Sequence, residues 1–481
     1  MHMMKNAIAI LALLAVAVSA SAADAVTRDF DALVTEVMRQ LPDVPSIGIA
    51  VVRDGKPFYS WAYGWADRET RTRAGAKTGY YIASSTKSYT GLACAVLASR
   101  GKLDLDAPIA KYLPEVTGDA GKFSLRQYLT HSAPVINEPV VIRTAYTGEH
   151  TPELLVSLLN SSKPRKEGFQ YDNLGYVVAS LVIERVTGKP WQRALDDLIF
   201  TPLKMDDTTA YMSQASRRPI ATPYDLNRKA EMVRLEYRKN DQMMHAAGGI
   251  VTTPSDLARW LAANINASTL PAAAYAEAQR QQVATTATRD AFKASGYGFG
   301  WYQADYAGDK VLFHLGGFEG WRAHVSFMPE KKLGVAVVIN AGGVSGRVAN
   351  FVAAAIYDRL LEKATPSAEQ VAKLATDMQQ QRERFLADVE TRAQRPWMLQ
   401  HPNAAYAGRY ENALLGTIVI EQRGDKLVAT LAKMTSEVEA YTEPESARVE
   451  LPPGNGSVLR FTFQGDAVES LKWDDEVFVK K

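Results

Sequence analysis

The chain has 481 residues, 47% of them hydrophobic and 22% charged, with a formal net charge of +2. That length exceeds what one compact core holds, so two or more domains are expected. The composition is that of a soluble globular protein, and the near-zero charge balance argues against a nucleic-acid footprint or a polyanionic partner.

The N-terminus reads as a secretory signal. Lys5 precedes the apolar run "AIAILALLAVAV" (7–18), the small residues "ASA" (20–22) follow, and cleavage is expected after Ala22. The run is shorter than the roughly 20 residues that span a bilayer, so no transmembrane anchor is expected. An exported protein follows, periplasmic if the source is a Gram-negative bacterium. The single cysteine, Cys94, excludes an internal disulfide and reads as a small packing thiol.

In chain order, "TRDFDALVTEVMRQL" (27–41) has its apolar residues at helical spacing. "SIGIAVVRDGKPFYSWAYG" (46–64) reads as two strands around Asp54-Gly55. "STKSYTGLACAVLASRG" (85–101) and "LGYVVASLVIERVTG" (174–188) read as helices closed by glycine. In "SDLARWLAANI" (255–265), Ser255 after Pro254 is the expected cap. "KVLFHLGG" (310–317), "WRAHVSFMP" (321–329) and "LGVAVVINAG" (333–342) read as consecutive strands, and "GRVANFVAAAIYDRLL" (346–361) as a closing helix. Strands therefore lie at both ends of the first 360 or so residues, with a mostly helical middle. A sheet joining the two ends, with helices on its faces, is the economical solution. Residues 365–396 are polar and helix-prone, and read as a linker helix. The last stretch, from 401 to 481, alternates in short strands between glycine-containing turns, as a small all-β domain would.

Three short stretches can carry chemistry. In "ASSTKS" (83–88), Ser84 and Lys87 are three apart, so a helix starting there brings hydroxyl and ammonium onto one face. A desolvated lysine can lose its proton and accept one from serine. Ser85 and Ser88 have no lysine at +3, so the spacing selects Ser84. In "EGFQYDNLGY" (167–176), alternate residues of an extended loop put Tyr171 and Asn173 on one side and Asp172 on the other. A tyrosine whose pKa is lowered by a neighbouring ammonium can shuttle a proton, and Asn173 can both donate to a carbonyl and accept from a lysine. In "FHLGGFEGW" (313–321), the adjacent glycines Gly316 and Gly317 allow a close backbone approach, and a free N–H there can hold an oxyanion. Taken singly, each stretch reads more readily as ordinary structure: a capping serine beside a surface lysine, a packing tyrosine with a turn asparagine, a strand histidine at His314.

Together they form the motif triplet of a known family. Ser-x-x-Lys, Tyr-x-Asn and a late His-x-Gly strand resemble the penicillin-recognising serine hydrolases, the class C β-lactamase and D-alanyl-D-alanine carboxypeptidase superfamily. "FSLRQYLTHSA" (123–133), "AAGGIVTTPSDLARW" (246–260) and "YGFGW" (297–301) are similar to stretches of that family, and the resemblance covers about 45–362. The last domain resembles the lipocalin-like domains appended to some members. The fold class implied is α/β (α+β): an antiparallel sheet flanked by helices plus an all-helical subdomain, then a small barrel-like domain. The expected division is a signal peptide over 1–22, a hydrolase domain over 23–362, a helical linker over 363–400 and the β domain over 401–481.

The resemblance also implies roles. Ser84 attacks a carbonyl and is acylated, Lys87 and Tyr171 handle its proton, and Asn173 orients the substrate amide. His314 stands where many members carry the lysine of Lys-Thr-Gly, Gly316 leaves room for substrate, and the N–H groups of Ser84 and Gly317 form the oxyanion hole. The chain departs from the family at His314-Leu315-Gly316, which removes a fixed cation and a hydroxyl, and at Ser132-Ala133-Pro134, where Thr-Ser-Gly is usual. The reading is an exported serine hydrolase, a peptidase on small or D-amino-acid-containing peptides. The alternatives are a carboxylesterase, a weak β-lactamase or a non-catalytic binding protein. The partner is a small molecule or short peptide, and a homo-oligomer is compatible with it. No cofactor is implied. No metal is expected either, because His131, His150, His245, His314 and His324 lack ligand spacing. "GYGFGW" is not a nucleotide fingerprint, and no GxSxG elbow is present.

Overall fold

A computed structural model describes residues 25–236, 239–452 and 454–481. The expected export signal and its cleavage point lie outside the described residues. Helix α1 covers 25–40. Strands β1 (Ser46–Arg53) and β2 (Lys56–Asp67) form the expected hairpin, with both turn residues, Asp54 and Gly55, at positive φ. Helices α2 (Thr86–Ser99), α3 (Leu174–Thr187) and α4 (Pro254–Asn266) follow. After them come β3 (Phe292–Tyr297), β4 (Tyr302–Tyr306), β5 (Asp309–Phe318), β6 (Trp321–Met328) and β7 (Leu333–Ile339). Two helices, α5 (Gly346–Leu360) and α6 (Ala368–Ala393), close the first part of the chain.

The long strands form the centre of a ten-stranded sheet in the order β3-β4-β5-β6-β7-β1-β2. Every pairing along it is antiparallel, and β7 meets β1 with Ile47 opposite Ile339, so the two ends of the sequence share one sheet. Alternation decides which side chains go where. Ile47, Ile49, Val51, Val335 and Val337 face α1 and α5, while Ala50, Val52, Ala336 and Val338 face the core shared with α2 and α4.

Two expectations change. The cap of α4 is Thr253, whose side chain accepts from the Asp256 N–H; Pro254 occupies the first turn and Ser255 lies inside the helix. The second change concerns α6, which is more than a linker. Its start is fixed by a capping box between Ser367 and Gln370. Its buried Val371, Leu374 and Met378 then complete the apolar layer that covers the sheet. These buried positions are spaced along one face among many charged and amide side chains, which is why the segment reads as polar in sequence.

The C-terminal domain is a nine-stranded antiparallel sheet spanning Gly408 to Lys480. Its two end strands, Met434–Glu437 and Glu439–Ala440, are separated by Val438 alone, so the chain itself nearly closes the barrel. Ile142, from the helical region, is buried in this domain's core, and the Arg143 Nε donates to the Leu414 carbonyl at 2.8 Å. Leu374→Ala is expected to lower the unfolding free energy by about 2–5 kcal/mol, measured by urea denaturation. An unchanged midpoint would make α6 a free connector.

Candidate active site

Ser84 lies in a short 3-10 turn (Ala83–Ser85) that runs directly into α2. The preceding Ala83 has a φ of 44°, in the left-handed region that only glycine adopts freely. Tight packing holds this conformation. A Cβ on Gly316 of β5 would stand 2.0 Å from the Ile82 carbonyl, so Gly316 lets the serine turn lie directly on the strand. That contact fills the room that the family resemblance reserves for substrate at Gly316. Gly300, at a φ of 77°, brings the 297–301 turn onto the other side of α2: a Cβ there would be 2.3 Å from the Ser88 nitrogen.

Lys87 is fully buried. Its Nζ donates to Ser84 Oγ at 3.2 Å, to Asn173 Oδ1 at 2.7 Å and to the Ala247 carbonyl at 2.9 Å. Desolvation lowers its pKa to about 7, against the opposing pull of Asp172. The geometry then decides what the neutral amine does. Asn173 Oδ1 and the Ala247 carbonyl can only accept, so they keep two N–H groups, and the lone pair is left facing Ser84 Oγ. A hydroxyl with such a neighbour can be deprotonated as it attacks.

Tyr171 meets Ser84 through its hydroxyl, and Lys87 Nζ sits 4.9 Å from its ring centre. Sequence reasoning expects a lowered tyrosine pKa. Here it is raised far above the ordinary value, because desolvation outweighs the hydrogen bond to Ser84. Tyr171 is therefore a neutral proton carrier. Asp172 points away from the cleft, as alternation requires, and pairs with Arg165.

His314 is buried with both ring nitrogens engaged. Its Nδ1 donates to the Leu315 carbonyl at 2.7 Å, which leaves Nε2 to accept from the Tyr297 hydroxyl at 3.1 Å. Burial holds its pKa well below the ordinary value, with the nearby Lys87 charge adding to the effect. It supplies no cation where the family's lysine would. Strand β4 leaves β5 after Tyr302 opposite Phe313, so among the described residues the outer edge of 314–318 has no strand partner. Gly317 is exposed at that edge. A cleft of about 1100 Å³ runs past it, lined by Gly317, Phe318 and Arg322 on one side and by Ser436, Arg448 and Glu450 of the C-terminal domain on the other.

Sequence reasoning missed the Ala247 carbonyl as the third acceptor for Lys87. No side chain in "AAGG" (246–249) marks it; the stretch is tied to α2 by Thr90 Oγ1 donating to the Ala246 carbonyl and by the N–H of the following Ile250 donating to Thr86 Oγ1. Trp301 is buried core. Among the described residues no cluster of three or more metal-binding side chains occurs, and no helix is long and apolar enough to cross a membrane.

Residues 34–359 match the Beta-lactamase family model. The chain belongs to that family. Protein flp of Staphylococcus aureus (strain MW2) is 24% identical over 307 residues, which is 62% of this chain and 60% of that protein. The chain thus spans less than two thirds of the length of this relative. Unguisins hydrolase ungD' of Aspergillus campestris is 27% identical over 364 residues, 71% of this chain and 66% of its own. The octameric penicillin-binding protein homologue from Pyrococcus abyssi superposes with a TM-score of 0.62 at 22% identity, covering 94% of this chain and all of that one. D-amino acid amidase from Ochrobactrum anthropi SV3, solved with L-phenylalanine amide, gives a TM-score of 0.57 at 23% identity, covering 69% of this chain and 98% of its own.

Gly316→Ala is expected to destabilise the fold by about 1–3 kcal/mol through overpacking against Ile82. It should also slow fluorophosphonate labelling of Ser84, read by intact mass. Wild-type labelling and stability together would show that the strand and the serine turn are not in close contact.

Proposed function

We propose that the protein is an exported serine hydrolase that works through a Ser84 acyl-enzyme, acting as a peptidase on short or D-amino-acid-containing peptides. The observation that carries this reading is the buried Lys87, held by two acceptors that cannot donate, with its third direction on Ser84 Oγ. Neutral Lys87 takes the Ser84 proton as Oγ bonds to the substrate carbonyl carbon. The carbonyl oxygen becomes an oxyanion, received by the N–H groups of Ser84 and Gly317 at the positive end of α2. Tyr171 gives its proton to the departing nitrogen and is reprotonated from Lys87, so the C–N bond breaks and a neutral amine leaves. Water, deprotonated by the same pair, then attacks the ester carbon; the C–Oγ bond breaks, the pair returns the proton to Ser84 Oγ, and the acid product leaves. The Asn173 Nδ2, whose Oδ1 partner is Lys87, faces the substrate amide.

The D-amino acid amidase among the similar structures supports amide chemistry, and the hydrolase among the relatives supports hydrolysis. A carboxylesterase is the second reading. It is favoured by the neutral His314, which offers nothing to a substrate carboxylate. The same feature counts against rapid β-lactam turnover. Export rests on the N-terminal apolar stretch, and N-terminal sequencing of secreted protein beginning after Ala22 tests it.

Assays on D-amino-acid peptides, p-nitrophenyl esters and a cephalosporin rank the substrates. Peptides are expected to be cleaved fastest; turnover of esters alone overturns the peptidase reading. Ser84→Ala is expected to abolish both turnover and the covalent adduct, and Tyr171→Phe to lower kcat by about 100-fold or more. Activity needs the deprotonated Lys87, whose folded pKa is about 7. The rate of acylation should therefore rise with pH up to about 7 and level off above it. A profile flat between pH 5 and 9 would remove Lys87 as the base.

A further inference from the structure

We propose that His131 is the positioning residue that fixes Tyr171 against Ser84 and Lys87. The inference rests on the acyl-enzyme reading above, because it gives His131 its effect through Tyr171. Tyr171 poses a physical problem. It is 41% exposed, so its ring is open to solvent on one side and needs a fixed surface on the other. His131 supplies that surface. Its ring, 1% exposed, lies 4.6 Å from the Tyr171 ring and is itself held by Tyr176, Tyr297 and Phe169.

The backbone is held by the same residue. The His131 carbonyl accepts from the Gln170 N–H at 2.9 Å, and His131 Nδ1 accepts from the Asp172 N–H at 3.3 Å. Tyr171 sits between those two anchored residues, so its direction is set, and Asn173 follows by alternation. His131 itself has a φ of 57°, in the left-handed region. That conformation turns the chain at the end of the Leu125–Leu129 helix so that carbonyl and ring both face the 170–172 segment.

Packing alone does not call for a histidine here. Because Nδ1 accepts, the neutral ring carries its proton on Nε2, and that nitrogen is buried without a hydrogen-bond partner among the described residues. A phenylalanine would fill the same space without a stranded N–H. What it would lose is the acceptor for Asp172. Burial favours the neutral ring, although Asp172 lies 3.8 Å from Nδ1 and pulls the other way.

The test compares His131→Phe, which keeps a ring and removes the acceptor, with His131→Asn, whose Oδ1 falls near the position of Nδ1. His131→Phe is expected to lower kcat about 10- to 100-fold with KM changed by less than about threefold, the signature of a misplaced catalytic group. His131→Asn is expected to recover most of that loss. A wild-type kcat in His131→Phe, or a His131→Asn as slow as His131→Phe, overturns the proposal. If His131→Phe does not fold, His131→Asn carries the test in two backgrounds. Its residual slowing should be present with Tyr171 and vanish with Tyr171→Phe; equal slowing in both overturns the proposal. The Ser84→Ala control separates the two failures. Turnover that survives it removes the acyl-enzyme reading, whereas loss of turnover with a wild-type His131→Phe removes only the role of His131.

Discussion

The site depends on one fully buried amine. Lys87 has no solvent contact, so each of its N–H groups needs a protein acceptor and its charge is held without water. The three acceptors come from residues 84, 173 and 247, which belong to three separate parts of the chain. Desolvation and hydrogen bonding act on the same group in opposite directions. Burial makes the proton easy to lose, and the fixed acceptors decide where the lone pair points once it has gone.

Keeping water from Lys87 requires backbone to lie on backbone, and that is where the glycines of the motif stretches are used. Gly316 admits the Ile82 carbonyl, Gly300 admits the α2 backbone at Ser88, and Gly91 admits the Phe299 carbonyl. Each is a place where a single methyl group has no space. The positive φ of Ala83 belongs to the same arrangement, since the turn bearing Ser84 is pressed between the strand and α2. Residues that would otherwise be read as substrate contacts thus first serve to seat the nucleophile.

The C-terminal domain is tied to this arrangement from both sides. Ile142 enters its core and Arg143 holds Leu414, while Tyr146, a few residues on, packs against Phe318 beside Gly317. The α6 helix, which leads to the domain, is anchored over the sheet by its apolar stripe. The barrel also forms one wall of the cleft that passes Gly317. Its position and the shape of the cleft are therefore set by the same contacts.

Much of this organisation is legible in the linear order of residues. Periodicity places the hairpin at 46–64, the three late strands and the glycine-closed helices, because these are local patterns of burial and turn geometry. Ser84 is separated from Ser85 and Ser88 by spacing alone, and Asp172 from Tyr171 and Asn173 by strand alternation. Other features depend on where distant segments meet. The Ala247 carbonyl carries no side-chain identity to be read. The ionisation of His314 and Lys87 is set by burial, which no local pattern records. Sequence determined which groups are present and which face of each element they share. Only the tertiary structure decided which of them are stripped of water, and so whether Lys87 at this site is a surface charge or a near-neutral amine aimed at Ser84.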